Sequence, residues 1–260
     1  MREDGIFFMA AAYFLWFPVL FAFFFLPEAA LASGFTVSPL KVEFPHGKLI
    51  AALNLENTSD TATLVQVEAF RWEQADGKDK LTPTDDIFPA PPIINILPRK
   101  TQIIRIALRR PADPDTELCY RLFISEVPDE SRRQPGTIGV ALRMSFPVFV
   151  EPRAKKVDRL QWQAEKTGER QLKLTLVNNG GAHVQVGKVQ IYAGGAEKPL
   201  LDKVLGDYVL PGQARSWILN LEGPAPSDTV LLKTQIGRKN AEARLAIGPE
   251  SASAPKQRGR

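Results

Sequence analysis

Apolar residues recur at every second position along most of this chain. Leu53-Asn54-Leu55-Glu56-Asn57 alternates and stops at Thr58-Ser59-Asp60; Leu64 to Phe70, Ile103 to Leu108, Tyr120 to Val127 and Ile138 to Val150 follow. A period of two places successive side chains on opposite faces of a strand, so each run predicts a strand with one buried face. Asp76-Gly77, Pro89-Ala90-Pro91-Pro92 and Pro111-Ala112-Asp113-Pro114 punctuate the runs as turns. The polar stretch Glu151 to Lys156 interrupts the pattern, which then resumes in Leu172 to Val177, His183 to Tyr192, Ser216 to Leu221, Val230 to Ile236 and Ala243 to Ile247. Turn signals stand between these at Asn178-Asn179-Gly180-Gly181, Gly194-Gly195 and Pro211-Gly212. No long amphipathic helix is visible. The expected fold class is all-β: two β-sandwich domains, residues 33–152 and 153–248.

The two ends depart from this pattern. An apolar run from Ile6 to Pro27 leads to Ala30-Leu31-Ala32, the small-x-small motif that signal peptidases cut. A signal peptide over residues 1–32 is expected, which delivers the remainder outside the cytoplasm. The alternative is retention of the same run as a membrane anchor. Residues 249–260 hold Ser, Ala, Pro, Lys and Arg without a bulky apolar side chain, and are expected to be disordered.

Composition narrows the function. The net charge of +4 is spread along the chain, with no dense basic block interleaved with aromatics. That argues against nucleic acid and suits an acidic or carboxylate-bearing protein partner. The single cysteine, Cys119, has no intrachain partner and reads as a buried core thiol. His46 and His183 stand alone, without a second ligand at metal spacing. Gly181 to Lys188 resembles a phosphate loop, but five residues separate Gly181 from Gly187 where four are required. Asp85-Asp86, among Pro and Thr, reads as a solvated turn. Nothing assembles a nucleophile, a base and an oxyanion site. No enzyme activity, cofactor, metal or small-molecule substrate is expected.

The most informative segment is 137–150. Ile138, Val140, Leu142, Met144, Phe146, Val148 and Val150 form an unbroken apolar ladder. An ordinary strand over its own core accounts for such a ladder. Two features point further: the run is longer than one domain core needs, and Pro147 lacks a backbone donor, which suits an edge. An edge strand with apolar side chains is able to complete another protein's sheet.

Four stretches together resemble the periplasmic pilus-assembly chaperones, the PapD-like family. They are Phe35-Thr-Val-Ser-Pro-Leu-Lys-Val-Glu-Phe44, Leu53-Asn-Leu-Glu-Asn-Thr58, Tyr120 to Pro128 with its Glu-x-Pro ending, and 137–152 closing in Val-Phe-Val-Glu-Pro. In order and spacing the likeness spans nearly all of 35–247. The resemblance implies two immunoglobulin-like sandwiches that bind a pilus (fimbrial) subunit lacking its last strand, fill the gap with the seventh strand, and pass the subunit to an outer-membrane usher. It implies Ile138, Val140, Leu142 and Met144 as the residues entering the subunit groove. It also implies two bases for the subunit's terminal carboxylate. Lys41 matches the first; the second falls on Pro147, a departure for which Arg121 on the neighbouring strand is the expected substitute. A membrane-anchored sandwich for adhesion or scaffolding is the alternative reading.

Overall fold

The computed structural model describes residues 34–128, 140–154 and 159–248. The expected leader, Ile138, part of the polar junction and the expected disordered tail lie outside them. The described residues form strands and connecting turns without a helix. The first unit contains β1 (Phe35–Ser38), β2 (Val42–Phe44), β3 (Ile50–Asn57), β4 (Thr63–Ala75), β5 (Lys78–Pro83), β6 (Ile87–Ala90), β7 (Ile93–Ile96), β8 (Thr101–Leu108), β9 (Leu118–Glu126) and β10 (Arg143–Val150). The second contains β11 (Leu160–Gly168), β12 (Gln171–Asn178), β13 (Val184–Ala193), β14 (Leu201–Val209), β15 (Ala214–Asn220), β16 (Thr229–Ile236) and β17 (Lys239–Gly248).

In the first unit, a sheet in the order β1-β3-β8-β6 faces a sheet in the order β2-β10-β9-β4-β5, with β7 also on β4. Their inner faces meet in one core that includes Leu53, Leu55, Ile104, Ile106, Leu122, Ile124 and Val148. Alternation explains this directly: in β9, Leu122 and Ile124 are fully buried while Arg121, Phe123 and Ser125 face the other way and are only partly covered. The second unit is a path of seven strands, β14-β13-β16-β17-β11-β12-β15, folded over its own core. β12 shows the sequence logic most plainly, since Leu172, Leu174 and Leu176 are buried and the residues between them are not. Only two residue pairs join β11 to β17.

The same device closes a strand in each unit. Asn57 ends β3, is fully buried, and donates through Nδ2 to the Thr61 and Ile96 carbonyls at 2.7 and 3.0 Å. Its Oδ1 accepts the Ser59 N–H at 2.9 Å. Asn178 ends β12, is equally buried, and donates to the Ala182 and Val209 carbonyls at 2.8 and 3.0 Å, while accepting the Gly180 N–H. A buried amide is tolerated only when its donors and acceptor are matched in this way.

The two units are tied together. Gln74 donates to the Tyr208 carbonyl and accepts the Leu210 N–H, each at 3.0 Å. The buried Glu117 carboxylate accepts the His183 N–H at 2.8 Å and pairs with its imidazole, whose ring stacks on Phe149. The backbone approach beside it requires Gly181, because a Cβ there would lie 2.5 Å from the Asp115 carbonyl oxygen. Trp72, Cys119 and Phe149 from the first unit and Leu210 and Tyr208 from the second fill the remaining space.

Candidate functional site

The two edges of β10 are occupied unequally. β9 pairs with it along its whole length, from Arg143↔Ser125 to Val150↔Leu118. On the other side β2 runs parallel to it and reaches only Val148, Phe149 and Val150. Among the described residues no strand pairs with 143–147 on that side, which leaves an open edge. Two bonds fix which backbone groups face it. The Leu142 carbonyl accepts the Glu126 N–H at 2.8 Å, so even positions turn toward β9. The Glu151 N–H reaches the Phe44 carbonyl at 3.0 Å, so odd positions turn toward the β2 side. Arg143 and Ser145 thus point their N–H and C=O groups outward. Pro147 belongs to the same series, so its missing N–H costs no bond to β9.

The side chains of β10 alternate likewise. Phe146, Val148 and Val150 are buried in the first core. The sequence predicts one strand from 138 to 150, but strand structure begins at Arg143. Ile138 lies outside the described residues. Val140 is 73% exposed. Leu142 and Met144 are half-buried and pack against the core of their own domain. The ladder is thus graded rather than wholly outward: full burial from Phe146, partial cover at Met144 and Leu142, and exposure at Val140.

Phe149, at an odd position of β10, packs at the junction of the two domains, and Pro147 precedes it on the same face. Pro147 stands opposite Arg121 in the register with β9. The Arg121 guanidinium lies 3.8 Å over the Trp72 ring and 5.8 Å from the Tyr208 ring. Among the described residues no carboxylate stands within ion-pair distance of it. Burial lowers its pKa, with Asp79 and Tyr208 pulling the other way. Lys41 comes one position before the Val42↔Val148 pair, at the level of Pro147, and its Nζ is 2.6 Å from the Glu43 carboxylate. Lys41, Pro147 and Arg121 therefore form one row across β2, β10 and β9. Burial raises the pKa of the Tyr208 phenol, while the charges of Lys41 and Arg121 act to lower it. Tyr208 and Trp72 were not legible as site residues: each looks like an ordinary strand aromatic until the domains are docked.

One expectation is corrected. Asp86 is not a solvated turn residue. Its carboxylate accepts from Arg71 at 2.6 Å and from the Tyr120 hydroxyl at 3.0 Å, with Arg110 at 3.5 Å. Burial alone would raise its pKa; the bonds from Arg71 and Tyr120 outweigh that and lower it. The partners come from β4, β9 and the segment after β8, so no local pattern announces the cluster. It fastens the base of the first domain. Among the described residues no group of three His, Cys, Asp or Glu side chains is placed to hold a metal ion.

Residues 34–156 match the family described as the pili and flagellar-assembly chaperone, PapD N-terminal domain. No curated protein matches the chain significantly. Among solved structures, the chain is similar to one in the CsuC-CsuE chaperone-tip adhesion subunit pre-assembly complex of archaic chaperone-usher Csu pili from Acinetobacter baumannii. The TM-score is 0.62 at 21% identity, covering 84% of this chain and 100% of that one. The E. coli chaperone DraB matches with a TM-score of 0.57 at 20% identity, over 82% of this chain and 97% of that one. A chain of the Salmonella enterica SafA pilin complex with the SafB chaperone matches with a TM-score of 0.56 at 20% identity, over 83% and 96%. At these identities the structures speak for the fold, two immunoglobulin-like sandwiches, and the sequence match over 34–156 speaks for the family. Residues 34–156 thus belong to the PapD-like family of pilus-assembly chaperones, and the chain shares the two-sandwich fold of those chaperones.

Proposed function

We propose that this chain works in the periplasm, captures pilus (fimbrial) subunits by adding the open edge of β10 to an incomplete subunit sheet, and passes them to an outer-membrane usher. The observation that carries this reading is the unequal pairing of β10: β2 covers only its last three residues, and among the described residues Arg143 to Pro147 are unpaired on that side. Unpaired edges of this kind accept a further strand through main-chain bonds, and alternate side chains then set specificity. Ile138, Val140, Leu142 and Met144 enter the subunit groove. Val140 is the residue freest to do so, because Leu142 and Met144 also touch their own core. Arg121 and Lys41 hold the subunit's terminal carboxylate. Arg121 leads the pair, since Lys41 already has Glu43 as a partner. The apolar leader and its Ala30-Leu31-Ala32 motif support export. The test is Val140→Glu, with co-purification of pilus subunits from periplasmic extract and a thermal melt. Loss of the subunits with an unchanged melt is expected; full capture by the variant would contradict the reading.

A further inference from the structure

Four features of the domain junction bear on how an anion is held there. The Arg121 guanidinium is drawn out of water between Trp72 and Tyr208 without a carboxylate among the described residues. A desolvated cation is costly until an anion joins it. Lys41 adds a second cation at the same level, and Glu43 offsets one of the two. Asp79 and Arg215 also act on Arg121; Arg215 is paired with Asp207 at 2.9 Å and with Asp79 at 3.5 Å. With Glu43 against Lys41 and two carboxylates against Arg215, Arg121 is the cation of this group that has no ion pair among the described residues.

Tyr208 is held rigidly beside these cations. Gln74 binds its carbonyl and the next N–H but one, and its ring meets Trp72 edge-on at 5.6 Å and Phe149 at 5.7 Å. Its hydroxyl makes no hydrogen bond among the described residues. A fixed phenol with a spare O–H beside the Arg121 guanidinium is a donor available to an anion. The row of Lys41, Pro147 and Arg121 lies where an added strand on the open edge of β10 runs into the junction.

We propose that Tyr208, on the second domain, donates its hydroxyl to the captured subunit's terminal carboxylate, so that the seat is built from both domains and Tyr208 offsets the base absent at Pro147. This rests on the subunit-capture reading above. Arg121 serves one carboxylate oxygen and Tyr208 the other, while Lys41 adds charge. Capture then depends on the docking of the two domains as well as on the edge.

Tyr208→Phe keeps the ring and its packing and removes only the donor. The cognate subunit, identified by co-purification, is prepared with its native C-terminus and with the terminal carboxylate converted to an amide. Wild-type protein is expected to hold the native form more tightly than the amide. Tyr208→Phe is expected to weaken the native form at least about tenfold, the scale of a hydrogen bond to a charged group, and to leave the amide unchanged. Equal weakening of both forms, or of neither, overturns the proposal and leaves Tyr208 as a packing residue. If the wild-type chain captures no subunit at all, the capture reading falls and the seat with it.

Discussion

The two halves of β10 share one strand and one alternating pattern, yet they are built to opposite ends. From Val148 to Val150 the strand lies between β9 and β2, and from Phe146 onward its inward side chains are buried. From Pro147 back to Arg143 one edge is unpaired among the described residues, and the apolar side chains emerge from cover toward Val140. The first half spends its apolar residues on the domain's own stability. The second keeps backbone donors, acceptors and Val140 in water, an arrangement that stabilises nothing in the free protein. An alternating ladder alone does not distinguish core from client-binding strand; the extent of the neighbouring strand does.

Substitutions along and around the strand are expected to separate its halves. The largest effect belongs to Val148→Asp. Val148 is fully buried, and an unpaired carboxylate there should destabilise the first domain by about 4 kcal/mol or more, seen as loss of the cooperative thermal melt. Asp86→Asn comes next, at about 1–3 kcal/mol, because the amide cannot serve Arg71 and Tyr120 as the carboxylate does. Asp86 has a lowered folded pKa. Its contribution is therefore present above the unfolded value and lost as pH falls through the still lower folded value. Melts compared at neutral pH and in the acid range below ordinary carboxylate titration should show a larger loss in the wild type than in Asp86→Asn, the difference being the share of Asp86. Leu142→Glu should give a mixed result: about 1 kcal/mol of stability, since its burial is partial, together with loss of subunit capture. Val140→Glu should leave the melt within about 0.5 kcal/mol and still impair capture, because its side chain is 73% exposed.

Strands with one buried face were legible because burial imposes the period of two; β8, β9, β12 and β16 follow their alternating runs closely. β5 was not, since all six of its residues are exposed and no face is selected. β6 and β7 lie in a Pro-rich stretch that reads as a turn, yet short edge-type pairings hold there through Ile87 and Ile96, both buried. The start of β10 was misplaced because Val140 and Leu142 continue the apolar alternation ahead of Arg143, where the strand begins. Lys41 and Arg121 were reached through family resemblance, with Pro147 as the clue that the anchor differs. The aromatic bracket of Trp72 and Tyr208 depends on how two domains dock, and Asp86 on three distant segments, so neither leaves a local trace.

The central claim is that the odd positions at the start of β10 are the surface a subunit pairs with. Residue-resolved amide hydrogen exchange by NMR tests it, on the chain alone and in complex with its subunit. The Arg143 and Ser145 amides face the open edge and should exchange freely in the isolated protein, while Met144 and Phe146, turned toward β9, are protected. On subunit binding, Arg143 and Ser145 should slow by about a hundredfold or more, as ladder amides do, with Met144 and Phe146 protected in both states. A stable complex in which Arg143 and Ser145 exchange as fast as before would contradict strand addition at this edge.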